Sequence, residues 1–156
     1  MARSGDREVV VTRRFAAPRD VVWEAWTNPD LVVQWWGPDG FTTTNHEMDV
    51  RPGGVWSHTM HGPDGTDYPS RAVFREVARP SLIAYHLEGG SGAFRTQCDV
   101  FWTFSPAAGG TLVTMRIRFP SVEDRDRAIA ALGVREAGAV TLERLAAHLG
   151  ATAAAR

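Results

Sequence analysis

From Phe41 to Phe119 the sequence reads as six extended segments in succession: 41–50, 55–61, 70–78, 82–87, 96–104 and 111–119. Each is rich in β-branched or aromatic residues, and successive segments are separated by runs of turn residues, "RPGG", "GPDG", "RPS", "EGGSGAF" and "SPAAGG". The β-branched stretch 8–15, "EVVVTRRF", adds a seventh. Connections this short join neighbours that run in opposite directions, because a parallel pair needs a crossover of a dozen or more residues. One antiparallel sheet of about seven strands is therefore expected.

Helical signals lie outside that block. "PRDVVWEAWT" (18–27) opens on Pro18, which suits a first turn, and sets Val22 and Trp26 on one face. Asn28 and Pro29 then supply an N-cap and a first helical residue for a second helix of about two turns, stopped by Gly37 and Pro38. It pairs Leu31 with Trp35 and Val32 with Trp36, so the adjacent tryptophans point about 100° apart. Two readings are open: a corner helix wedged between two surfaces with one tryptophan in the core, or a second tryptophan given to a cavity wall. The segment 121–150 opens with Ser121 three residues before Asp124 and aligns Ala137, Thr141, Leu145 and Leu149 beside Leu142, predicting one long C-terminal helix. Sheet plus helices make an α+β architecture.

At 156 residues the chain fits one domain, expected over 8–150, with 1–7 and 151–156 as flexible termini. A formal net charge of -1 without a basic run disfavours nucleic acid and anionic membranes as partners. No stretch has the apolar length of a membrane span, and "MARSGDREVV" does not read as a signal peptide. Cys98 is the only cysteine; it excludes an internal disulfide, fits a reducing cytoplasm and reads as a small buried hydrophobe. No metal and no cofactor are expected: His58 and His61 of "HTMH" fall on opposite faces of a strand, and no phosphate-binding or nucleophile-elbow spacing occurs.

Strand alternation defines an inward surface. It comprises Trp56, His58 and Met60; Ala72, Phe74 and Glu76; Ile83, Tyr85 and Leu87; Val100, Trp102 and Phe104; and Val113, Met115, Ile117 and Phe119. Arg116 and Arg118 alternate with it, toward solvent. The polar members are His58, Glu76 and Tyr85, with Tyr68 at the rim. A histidine beside a carboxylate and a phenol is a candidate acid–base cluster; the plainer alternative is a structural pair in which His58 and Glu76 satisfy each other.

"VTRRFAAPRDVVWEAWTNPDLVVQWWGPDGF", "MDVRPGGVW", "HGPDGTDY" and "TLERLAAHL" resemble the bacterial proteins grouped with the activator of heat-shock protein 90 ATPase. That group lies in the START-like helix-grip (SRPBCC) superfamily with polyketide cyclases and Bet v-type proteins. The resemblance implies a curved antiparallel sheet around a long C-terminal helix, two short helices after the first strand, and a hydrophobic cavity. It also implies a cytoplasmic monomer or homodimer that binds a hydrophobic or aromatic small molecule as a carrier, sequestering or resistance protein. A cyclase or dehydratase acting on a polyketide-like aromatic is the alternative. Co-regulation of a chaperone ATPase ranks behind both, since the additional N-terminal domain of the eukaryotic activators is not read here. A protein-interaction module would instead need an apolar patch on the sheet's outer face. The expected ligand wall is Trp36, Trp56, His58, Met60, Tyr68, Phe74, Tyr85, Trp102, Met115 and Gly138. Gly138 departs from the family, whose relatives usually carry tryptophan there; either a neighbour such as Trp102 fills the volume, or the gap enlarges the cavity or lets a ligand press against the helix backbone.

Overall fold

A computed structural model describes residues 4–88 and 97–154. The seven strands are β1 (Glu8–Phe15), β2 (Thr42–Met48), β3 (Val55–His61), β4 (Asp67–Ala78), β5 (Leu82–Glu88), β6 (Cys98–Ala107) and β7 (Gly110–Arg118). They form one curved sheet in the order β1-β7-β6-β5-β4-β3-β2, antiparallel at every pairing. The connection "EGGSGAF" between β5 and β6 lies almost wholly outside the described residues.

Helix α1 (Arg19–Thr27) starts after Pro18, whose carbonyl accepts from Val21 and Val22 N–H. Asn28 closes α1 and caps α2 (Pro29–Val32) through its side-chain oxygen, which accepts from Asp30 N–H at 2.9 Å. Beyond α2 the chain stays coiled long enough for Trp36 N–H to reach the Val32 carbonyl at 3.0 Å. The expected second helix is thus a single α-turn with a short extension.

The expected long C-terminal helix is present as α4 (Val134–Ala154), but it does not begin at 121: the first part of the segment forms a separate helix, α3 (Val122–Leu132), divided from α4 at Gly133. Gly133 adopts φ +56, a left-handed conformation that glycine takes without a Cβ penalty, and its N–H returns to the Ala128 carbonyl. Ser121 caps α3 by accepting from Asp124 N–H at 3.1 Å, as the sequence predicts. Helix α4 packs against β1 and continues past Gly150 to Ala154. Ahead of β1, Ser4–Arg7 forms a 3-10 turn tied to the end of β7 by the Phe119 N–H to Arg7 carbonyl bond at 2.8 Å. Of the ends expected to be loose, 1–7 and 151–156, residues 1–3 and 155–156 lie outside the described residues, whereas Ser4–Arg7 and the end of α4 are helical. No helix among the described residues is long and apolar enough to cross a membrane.

The inward surface follows the predicted alternation except in β4. There the register shifts by one: Phe74 opposes Tyr85, and Glu76 opposes Ala84. The extra residue, Arg75, bulges the strand. Phe74 remains buried, whereas Arg75 and Glu76 are both exposed and Val77 takes the next inward place. Glu76 is therefore not part of the inward surface.

Candidate functional site

A cavity of about 160 Å³ opens between the sheet's concave face and the α3–α4 pair. Trp56, His58 and Met60 wall it from β3, Trp102 from β6 and Met115 from β7. Ala137, Gly138 and Thr141 of α4 form the opposite side; Tyr68 at the start of β4 and Pro38 from the segment before β2 also line it. With His58 neutral, none of the lining residues carries a charge.

The tryptophan pair divides as its 100° spacing requires. Trp35 is wholly buried, and its Nε1 donates to the Ala25 carbonyl at 3.0 Å. Trp36 is half-buried and lines the cavity, 4.7 Å from Trp56 ring to ring. One serves the core and the other the wall, so each of the two readings describes one member of the pair. Around them Trp26, Trp56 and Trp102 complete a connected cluster of indoles. Trp56 is oriented by its Nε1, which donates to the Asn45 side-chain oxygen at 2.7 Å; the Asn45 amide in turn donates to the Pro29 carbonyl.

His58 is only 2% exposed and stacks on Trp56 at 4.2 Å. Burial, with a smaller contribution from His46, pushes its pKa down to about 4, so the imidazole is neutral at pH 7. Its Nδ1 is enclosed and has no hydrogen-bond partner. Leaving such a group unpaired costs about 1–3 kcal/mol. The Tyr85 hydroxyl accepts from Trp102 Nε1 at 3.4 Å, and burial raises the phenol's pKa. Cys98 also faces the cavity; burial lifts its thiol to about 12, which keeps it protonated and unreactive.

Of the ten residues expected in the ligand wall, nine line this cavity and Phe74 does not. Phe74 is buried behind the wall, with its ring 6.3 Å from Trp26 and 6.0 Å from Tyr85. Of the three candidate catalytic groups, His58 and Tyr85 both line the cavity and Glu76 lies outside it. Gly138 faces the sheet, but the space that would enlarge the cavity is filled. A Cβ there would lie 2.6 Å from Met115 Cε and 3.2 Å from Val11 Cγ2. The missing side chain brings α4 close to β1 and β7 rather than enlarging the cavity. Gly138→Trp is accordingly expected to overpack and cost about 1–3 kcal/mol, read from the urea midpoint. An unchanged midpoint would mean that Met115 and Val11 yield freely.

Sequence reasoning missed the contribution of Ala128, Val134 and Ala137, which depends on the break at Gly133. It also missed Arg144. One guanidinium nitrogen of this α4 residue donates to the carbonyls of Trp36, Gly37 and Pro38 at 3.2, 2.8 and 2.9 Å. Arg144 thus holds the segment that carries Trp36 over the cavity. Arg144→Met is expected to destabilise the fold by about 1.5–3 kcal/mol, the usual value of hydrogen bonds from a charged group. Equilibrium urea unfolding measures this, and a loss within error of zero would show the clamp to be dispensable.

A curved antiparallel sheet closed over an apolar cavity by a C-terminal helix defines the helix-grip class. Within that class, the family described as Activator of Hsp90 ATPase homolog 1-like protein matches residues 16–150, and the chain belongs to it. Protein Ms6760 from Mycobacterium smegmatis is 26% identical, with a TM-score of 0.84 over 97% of this chain and 96% of that one. Protein NE0264 from Nitrosomonas europaea is 22% identical, with a TM-score of 0.85 over 96% and 97%. The AHSA1 protein from Silicibacter pomeroyi is 20% identical, with a TM-score of 0.76 over 93% and 99%. The latter two likenesses speak for the fold alone. No curated protein matches the chain in sequence.

Proposed function

We propose that this protein binds a hydrophobic or aromatic small molecule in the cavity between sheet and helices. The observation that carries the reading is the wall itself: uncharged, lined by three indoles and two methionines, and interrupted by one neutral imidazole and two phenols. Ligand sites of this kind are apolar concavities with a few placed polar groups. The volume, about 160 Å³, suits a molecule of about one aromatic ring, since a cavity of about 150 Å³ binds benzene in another protein. The exposed position of Glu76 removes the carboxylate from the acid–base cluster that a cyclase or dehydratase would draw on, which favours binding over turnover.

Titration with toluene, followed by the methyl NMR signals of Met60 and Met115, tests the reading. Saturable shifts at both methionines are expected, with a Kd of roughly 0.1–1 mM for so small a ligand. Shifts that rise linearly without saturation, or that spare both methionines, would refute it.

A further inference from the structure

His58 carries a ring nitrogen, Nδ1, that the fold buries without a partner. It stands in the cavity wall, stacked flat on Trp56 and edge-on to Trp36 at 6.0 Å. Of the two phenols in the wall, Tyr85 has its hydroxyl oxygen engaged by Trp102 Nε1, and Tyr68 packs its ring against Phe41. Buried polar atoms in native proteins are nearly always paired, and an exception at a binding cavity points to a group supplied by something else.

We propose, building on the cavity reading above, that the site takes neutral hydroxyaromatics of about one ring, phenols as a class, whose hydroxyl pairs with the imidazole of His58. A phenol hydroxyl both donates and accepts, so it can pair with either tautomer of a neutral histidine. Its ring meets the same indole faces that would hold any apolar ring. The uncharged lining works against carboxylates such as benzoate, which would lose hydration without gaining a counter-charge. The hydroxyl therefore selects within a cavity whose affinity comes from its aromatic walls.

Toluene and p-cresol differ by one hydroxyl and make the test. Their Kd values are measured by calorimetry or NMR on the wild-type protein and on His58→Phe. The ratio of the toluene Kd to the p-cresol Kd is expected to fall at least tenfold in the variant. Comparing ratios cancels the cost of drying the hydroxyl, which both proteins pay alike. On the wild type alone, the imidazole ¹⁵N resonances of His58 should move with p-cresol and hold still with toluene, so the test survives a variant that fails to fold. Equal ratios in the two proteins, or identical ¹⁵N responses to both probes, overturn the proposal while leaving the cavity reading intact. Failure of both probes to bind the wild type overturns both.

Discussion

Gly54→Val is expected to destabilise the protein by about 3–5 kcal/mol, the range reached when a substitution strikes immovable neighbours. A Cβ on Gly54 would lie 2.0 Å from the Asp49 carbonyl oxygen and 3.0 Å from that of Arg51. Both are backbone atoms pinned within the turn between β2 and β3. Gly54 N–H donates to the Arg51 carbonyl at 2.8 Å, and Arg51 N–H donates to that of Asp49 at 3.0 Å. The turn is also sewn to β4, since Gly53 donates to the Phe74 carbonyl and Phe74 donates to that of Gly54. Gly53 differs: its φ is +84, but a Cβ there meets nothing within 4 Å. Gly53→Ala should cost only the conformational penalty, about 1–2 kcal/mol. Denaturant midpoints separate the two cases. Losses of equal size would show that conformation governs both positions, and unchanged midpoints for valine at either site would undo the turn assignment.

The second large effect is one of pH. The His58 pKa falls from an ordinary 6.5 to about 4 on folding. Between these values the unfolded chain holds a proton that the native protein refuses, so stability declines as pH drops through that window. A shift of this size corresponds to about 3 kcal/mol, fully present above pH 6.5 and gone below pH 4. His148, whose pKa is also lowered by burial, acts in the same direction. The contribution of His58 is therefore isolated by comparison: urea unfolding of His58→Phe between pH 7 and pH 4 should show a markedly flatter decline than the wild type. Parallel curves would mean that His58 titrates in the folded protein as it does in water.

The sheet was readable because each strand carries its own evidence: alternation of large residues along Val100, Trp102 and Phe104, or along Val113, Met115 and Ile117, followed by a glycine or proline turn. Nine of the ten wall residues followed from that parity and the family resemblance. What went astray depends on pairs of elements. The bulge at Arg75 is a register event between β4 and β5, and no pattern within β4 announces that Glu76 will turn outward. Strand parity puts Phe74 on the correct face, but whether an inward residue touches the cavity or lies behind Trp26 depends on how α1 settles on the sheet. Gly133 was in plain view; its neighbours on both sides favour helix, and the break is decided by how α3 and α4 must pack. Arg144 has the sequence appearance of any exposed helical cation, and its three carbonyl partners lie more than a hundred residues away.

The connected indoles have an optical consequence. Trp26, Trp35, Trp36, Trp56 and Trp102 are linked through ring centroids 4.7–6.2 Å apart. At such separations, light absorbed by one indole migrates among all five before it is re-emitted. The planes along these links meet at angles from 37° to 82°, so each transfer scrambles polarisation, and emission leaves depolarised even from a rigid protein. Among the described ring contacts, Trp23 pairs with Phe104 and with none of these five. A molecule that quenches Trp36, Trp56 or Trp102 from inside the cavity drains excitation from the whole set, giving the protein a built-in amplifier for whatever occupies it.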